Sequence, residues 1–248
     1  MIGIICQART RSNRFPSKIY EDLNGKYTLQ RVLEGATKSV VAHKNILAMP
    51  GYDEKEFNER YNRGEFNGIV DDRFETYFGD PENLIDRYYN AARKYGIDLI
   101  VRITADNPLI SATAIDEMLL EYKRNNYNGF MGNNLLVSSL PQSCGTDVEI
   151  FPFWMLCEAK LYATTDYQKE HCVPFMYDKA RPYNIYGFEN RRPNTMISTR
   201  VKDFSFDTEE DRQLLLKLTK IYDETGDLNK ALETVELGTE QLMGRNIR

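Results

Sequence analysis

Histidine, tryptophan and paired cysteines are scarce in this sequence. Two histidines, one tryptophan and four cysteines are spread over 248 residues, and none of Cys6, Cys144, Cys157 and Cys172 forms a CxxC pair. With only His43 and His171 beside them, that pattern argues against a zinc site and fits a reducing compartment. No apolar run approaches the ~20 residues a membrane helix needs. The opening Met1-Ile2-Gly3-Ile4-Ile5-Cys6 has neither the basic region nor the long apolar core of a signal peptide. The expectation is a cytoplasmic protein with no membrane partner. A strong charge of one sign is missing too. Thirty-two basic against 37 acidic residues leave a net charge of −5, whereas nucleic-acid binding runs on basic surfaces and counter-ion release. No linker rich in Pro, Gly or Ser, internal repeat or low-complexity tract breaks the chain, so one domain over 1–248 is expected.

What is present is ordinary globular composition, 42% apolar and 12% aromatic. At this length folding buries roughly 70–75% of the unfolded surface, which makes a core without metal or disulfide staples. Strand and helix patterns alternate. Residues 2–6 and Asn45–Met49 read as strands, 27–39 as a helix, and 53–63 as an exposed helix or an ordered insertion. Residues 80–95 carry apolar residues at helical spacing from Leu84 to Ala92, with Asp80 as the expected cap, Pro81 in the first turn and Gly96 as the stop. Asp98–Thr104 is β-rich, Ser111 is placed to cap the next helix, and Asp147–Phe151 alternates as a strand. Stretches 152–162 and 166–179 look helical, Tyr183–Phe188 and Phe204–Phe206 β-like, and Thr208 caps a final helix. This alternation predicts an α/β fold, a mainly parallel twisted sheet with helices on both faces.

The loop after the first strand carries the first chemical signal. Gln7-Ala8-Arg9-Thr10-Arg11-Ser12-Asn13-Arg14-Phe15-Pro16-Ser17-Lys18 places four cations within ten residues. Ligands of open α/β sheets collect at the carboxyl ends of strands, and forked arginines with a compact lysine suit a triphosphate. No GxxxxGK[ST] loop is present, and a solvated basic turn would have the same composition. Asp106 follows the strand 98–104 and Asp207 follows Phe204–Phe206. Two carboxylates meeting at one sheet rim could hold Mg²⁺ together with phosphates, although each aspartate taken alone also fits a turn or cap.

These blocks resemble a known family. Ile5-Cys6-Gln7-Ala8-Arg9 with Ser12, Arg14, Pro16 and Lys18 is similar to the opening signature of the SpsF-like cytidylyltransferases, relatives of the CMP-KDO and CMP-sialic acid synthetases. Gly79–Tyr89, Val101–Ile110, Gly145–Phe151, Glu170–Pro174 and Phe206–Asp211 resemble five further blocks of that family in the same order. The resemblance implies a GT-A-like nucleotidyltransferase that uses CTP and Mg²⁺ and releases pyrophosphate. It would activate a sugar acid, sugar phosphate or related phosphorylated molecule for surface-glycan synthesis. Gln7, Ala8, Arg9, Arg11, Ser12, Arg14, Lys18, Thr104 and Asp106 would contact the nucleotide. Lys18, Arg14, Asp106 and Asp207 would be catalytic, with Asp106 and Asp207 on the metal. Asp147, Glu149, Glu170 and His171 would line the acceptor side, and a homodimer is implied by the related synthetases. Departures stand out: Ser17 replaces the family glycine, Thr10-Arg11 replace Met-Gly, and the stretch 50–75 is longer. A glycosyltransferase of the same fold, or a nucleotide-binding subunit without turnover, remain alternatives. The first lacks its usual second carboxylate beside Asp106, where Asn107 stands.

Overall fold

Seven strands in the order β3-β2-β1-β4-β6-β5-β7 form the sheet of the computed structural model. It describes residues 1–133, 146–178, 180–188, 204–226 and 230–231. The strands are β1 Ile2–Gln7, β2 Lys44–Pro50, β3 Phe74–Gly79, β4 Leu99–Thr104, β5 Phe130–Gly132, β6 Glu149–Pro152 and β7 Ile185–Gly187. Strands β1 to β4 pair in parallel, and β6 runs antiparallel to both β4 and β5. The chain therefore winds outward from β1 through β2 to β3 and returns to the other side of β1 as β4. That reversal makes a crevice at the carboxyl ends of β1 and β4.

Helices cover both faces, as the alternation predicts. Alternate residues of β1 divide between them: Ile4 and Cys6 face one core, Ile5 the other. On the first side lie α1 (Thr28–Thr37) and α4 (Ala112–Arg124), which contribute Leu29, Val32, Leu33, Ile115, Met118 and Leu119. The short α2 (Glu54–Asn62) joins them through Phe57. On the second side α3 (Leu84–Tyr95) and α5 (Phe153–Tyr162) bring Leu84, Ile85, Tyr88, Met155 and Leu156 against Ile46, Ile100 and Phe151. A third cluster packs Phe204 and Phe206 with Leu215 and Leu218 of α7 (Glu209–Thr225) against Leu23 and Leu109.

Several boundaries differ from the sequence reading. α3 begins at Leu84, and its cap is Asn83, whose side chain accepts from the Asp86 amide. Asp80 spends its carboxylate on the amides of Glu82 and Asn83 three residues earlier, in a turn that precedes the helix. Helix 166–179 is cut short: α6 is Asp166–His171, because Cys172 takes φ 64° and a 3₁₀ turn at Val173–Phe175 follows. Strands β3 and β5 went unread, and Phe204–Phe206 is extended without pairing into the sheet. Gly96 closes α3 at φ 65°, and Thr208 caps α7 with a reciprocal bond from Asp211, both as expected. Cys6, Cys157 and Cys172 are free thiols, while Cys144 and Gly145 lie outside the described residues. Among the described residues no helix is long and apolar enough to cross a membrane.

Candidate active site

A cleft of about 290 Å³ opens at the carboxyl ends of β1 and β4. Gln7 and Thr104 are register partners on those two strands and form its floor. Lys18 sits at the start of a 3₁₀ turn, 7% exposed. Its Nζ donates to Asp106 Oδ2 at 2.7 Å and to Asp207 Oδ1 at 2.8 Å. Arg14 Nη1 reaches the other oxygen of Asp207 at 2.8 Å. Two carboxylates thus share one ammonium, although they lie 101 positions apart as numbered. Local folding explains how each arrives. Asp106 is in the turn that ends β4, where the Asn107 amide bonds Thr104 O. Asp207 is delivered by the buried Phe204 and Phe206, and the Phe206 amide donates to Asp106 O at 2.9 Å. Burial alone would raise the Asp106 carboxyl, but the Lys18 ammonium and the Thr104 hydroxyl prevail and hold it below the usual carboxylate range.

The basic loop is ordered around Thr10. Its amide donates to Asp53 Oδ2 at 3.0 Å, its hydroxyl bonds the other Asp53 oxygen, and its carbonyl accepts the Ser17 amide at 2.7 Å. Ser17 takes the left-handed conformation, φ 57° and ψ 19°, at the position where a glycine was expected. With Thr10 turned to Asp53, the loop presents Arg9, Ser12, Asn13 and Arg14 to the cleft. Arg11 does not line it: its guanidinium lies 4.1 Å from the centre of the Tyr52 ring.

On the far side, Glu170 and His171 close the cleft, with Arg9 3.7 Å from Glu170 and the His171 ring 4.7 Å from that of Tyr167. The other two acceptor-side expectations are placed elsewhere. Glu149, on β6, is buried and paired with Arg102 beneath the floor, where Arg102 Nε also donates to Gln7 Oε1 at 3.2 Å. Asp147 precedes β6 and is not part of the cleft lining. Nor do Asp86 and Arg87, adjacent charges that read in sequence as an internal helix-end pair, bond each other: Asp86 bonds Lys160, and Arg87 bonds the Asp80 and Pro81 carbonyls. Sequence reading missed Asp53, since a lone acid before a polar helix carries no signal of its own. Arg87 is a different case: the sequence favours that internal pair over a substrate contact, and the structure places it in the cleft lining.

Among the described residues no group of three or more His, Cys, Asp and Glu side chains converges to hold a metal. Asp106, in the cleft lining, and Asp207, behind it and joined to it through Lys18, offer hard carboxylate oxygens, a donor set that fits a magnesium ion completing its shell with phosphates and water.

A parallel-sheet switch point, a basic loop and two converging aspartates define a nucleotidyltransferase-type site. The fold agrees with solved structures. A cytidylyltransferase from Leptospira borgpetersenii superposes with a TM-score of 0.81 over 100% of this chain and 98% of that one, at 24% identity. A CMP:2-keto-3-deoxy-manno-octonic acid synthetase complexed with CTP gives a TM-score of 0.63 over 89% and 98%, at 16% identity. In sequence, the cytidylyltransferase family profile matches residues 3–243. An uncharacterized protein of Methanocaldococcus jannaschii is 31% identical over 90% of this chain and 84% of its own length. A 3-deoxy-manno-octulosonate cytidylyltransferase of Chloroherpeton thalassium is 30% identical over 49% of this chain, and the match spans 46% of that relative. The chain belongs to the cytidylyltransferase family and is related to the CMP-KDO synthetases.

Proposed function

We propose that this enzyme transfers the cytidylyl group of CTP to an oxygen of a small sugar acid, sugar phosphate or related phosphorylated molecule, releasing pyrophosphate. The six ordered sequence blocks support the SpsF-like branch and a role in surface-glycan synthesis. A homodimer in the cytoplasm belongs to the same reading. The observation that carries the chemistry is the convergence of Lys18, Asp106 and Asp207 at the rim of the β1–β4 crevice.

In the reaction the acceptor oxygen attacks the α-phosphorus in line and pyrophosphate departs. Arg9, Ser12 and Arg14, held by the Thr10–Asp53 anchor, bind the phosphates with forked and hydroxyl donors. Lys18 is the cation nearest the two carboxylates, and its ammonium neutralises charge that develops on the leaving group. Thr104 and Lys18 keep Asp106 ionised and oriented. Asp106 and Asp207 would hold Mg²⁺, which when bound neutralises phosphate charge in the transition state. Most of the rate enhancement then comes from positioning and fixed electrostatics.

The test is pyrophosphate release from CTP and a panel of sugar-acid and sugar-phosphate acceptors in the presence of magnesium. Asp106→Asn keeps the side-chain shape and removes the charge, so turnover falls by about 10²–10⁴. Near-normal turnover in that variant would overturn the assignment of the aspartate pair.

A further inference from the structure

A buried ion pair lies beneath the cleft floor, outside the transfer chemistry. Glu149, 3% exposed on β6, is the register partner of Arg102 on β4, and their side chains pair. Arg102 is also the register partner of Ile5 on β1, so Gln7, two residues on, rises from the same face of the sheet. Burial opposes the charge on Arg102, and the Glu149 carboxylate outweighs it. Such a pair is a weak stabiliser, because apolar residues of similar volume often serve as well. Its remaining contact runs toward the cleft: Arg102 Nε donates to Gln7 Oε1 at 3.2 Å.

That bond decides which way the Gln7 amide faces. A guanidinium has donors and no acceptor, so only the amide oxygen can meet it. The reverse orientation would set N–H against N–H. The Tyr88 hydroxyl, which also bonds Ile5 O at 3.2 Å, stands 3.4 Å from the same Gln7 oxygen. Gln7 Nε2 keeps its two N–H groups. Among the described residues nothing accepts from them, and this nitrogen is not one of the buried polar atoms that lack a partner, so it opens to the cleft that Gln7 lines. The cations of the neighbouring loop meet the charge of phosphates. An amide NH₂ is uncharged and only donates, which suits a carbonyl or hydroxyl oxygen.

We propose that Arg102 and Glu149 are positioning residues: they lock Gln7 with its oxygen down and its NH₂ facing the cleft, where it donates to a carbonyl or hydroxyl oxygen in the nucleoside part of CTP. The locked orientation stands on the hydrogen bonds alone. That CTP is the ligand rests on the transfer proposed above.

Calorimetric titration with CTP and with inorganic triphosphate, each with magnesium, tests the assignment. Gln7→Met removes the donor without adding charge, so CTP is expected to bind about tenfold more weakly while inorganic triphosphate binds as it does to the wild type. Arg102→Met/Glu149→Met replaces the ion pair by apolar residues that keep the space filled. With the amide free to turn, CTP binds about fivefold more weakly. Added to Gln7→Met, the same two substitutions cause no further loss, because they act through the one NH₂. Undiminished CTP binding in Gln7→Met, equal losses for CTP and inorganic triphosphate, or additive losses in the combined variant would overturn the proposal. Gln7→Glu reads the lock without a ligand: it keeps an acceptor above Arg102 and Gln7→Met does not, so its urea midpoint at neutral pH lies higher. The reverse order overturns the lock, and this comparison decides even where Arg102→Met/Glu149→Met fails to fold. A wild type that binds inorganic triphosphate but not CTP sinks the transfer reading and the nucleoside contact with it, and the order of urea midpoints then decides the lock alone.

Discussion

Ser17 holds a backbone conformation that costs an L-residue roughly 1–2 kcal/mol, because its amide must close onto Thr10 O while its carbonyl starts the turn that carries Lys18. Glycine removes that steric cost but gains about 0.4–1 kcal/mol of freedom in the unfolded chain. Ser17→Gly is therefore expected to stabilise the protein by about 0.5 kcal/mol, and Ser17→Val, β-branched and ill-suited to φ > 0, to destabilise it by more than about 1 kcal/mol. Urea unfolding of the two variants checks both signs. The position was legible as a departure, since serine stands where a glycine was expected, but only the fold shows that the left-handed conformation is kept. Asp106 and Asp207 were legible as candidates because each follows an apolar, strand-like run, and Lys18 because it closes the basic loop after β1; it was the family-like blocks around all three that favoured a site over turns and caps. Arg11 and Glu149 were not, because a cation over Tyr52 and an acid paired under the floor look the same in sequence as residues aimed at a ligand.

At the scale of elements, propensity located cores well and ends less well. The stretch 80–83 satisfies two start rules at once, an aspartate followed by proline, yet α3 is capped by Asn83. Asp80 is drawn into a turn of its own, whose carbonyl and that of Pro81 then receive Arg87. A turn closed by the Asp80 carboxylate and braced by the Arg87 side chain thus overrides the cap signal. Replacing Asn83 by alanine removes the bond to the Asp86 amide and is expected to cost about 1 kcal/mol of unfolding free energy, measured by urea denaturation. A variant as stable as the wild type would mean that the cap is supplied by the preceding turn after all. Strand β3 went unread because every one of its residues is only partly buried, so its apolar pattern is weak. Strand β5 is three residues long, too short for any period to show.

Across the whole molecule, the site exists because three distant segments meet at the switch point between β1 and β4. The order of strands brings Lys18 and Asp106 together, and the third hydrophobic cluster brings Asp207 to them. Strand–helix alternation made the sheet legible, whereas the meeting of Asp106 and Asp207 rests on packing between Phe204, Phe206 and α7 that no spacing rule encodes. Because Lys18 holds Asp106 below its ordinary value, part of the molecule's stability is tied to that carboxylate being ionised. A carboxyl depressed in the folded state contributes stability that is fully present above its unfolded value, about 3.9, and that is lost as pH falls through its folded value. Asp53 acts in the opposite direction: burial raises its carboxyl despite the bonds from Thr10, so it favours the folded state as the solution becomes more acid. The two effects can be separated by comparing wild type with Asp106→Asn, since Asp53 is common to both. Between about pH 5 and about pH 3 the urea midpoint of the wild type is expected to fall more steeply than that of Asp106→Asn. Parallel slopes would show that the Lys18–Asp106 contact contributes no ionisation-linked stability, and the electrostatic coupling assigned to this end of the cleft would be wrong.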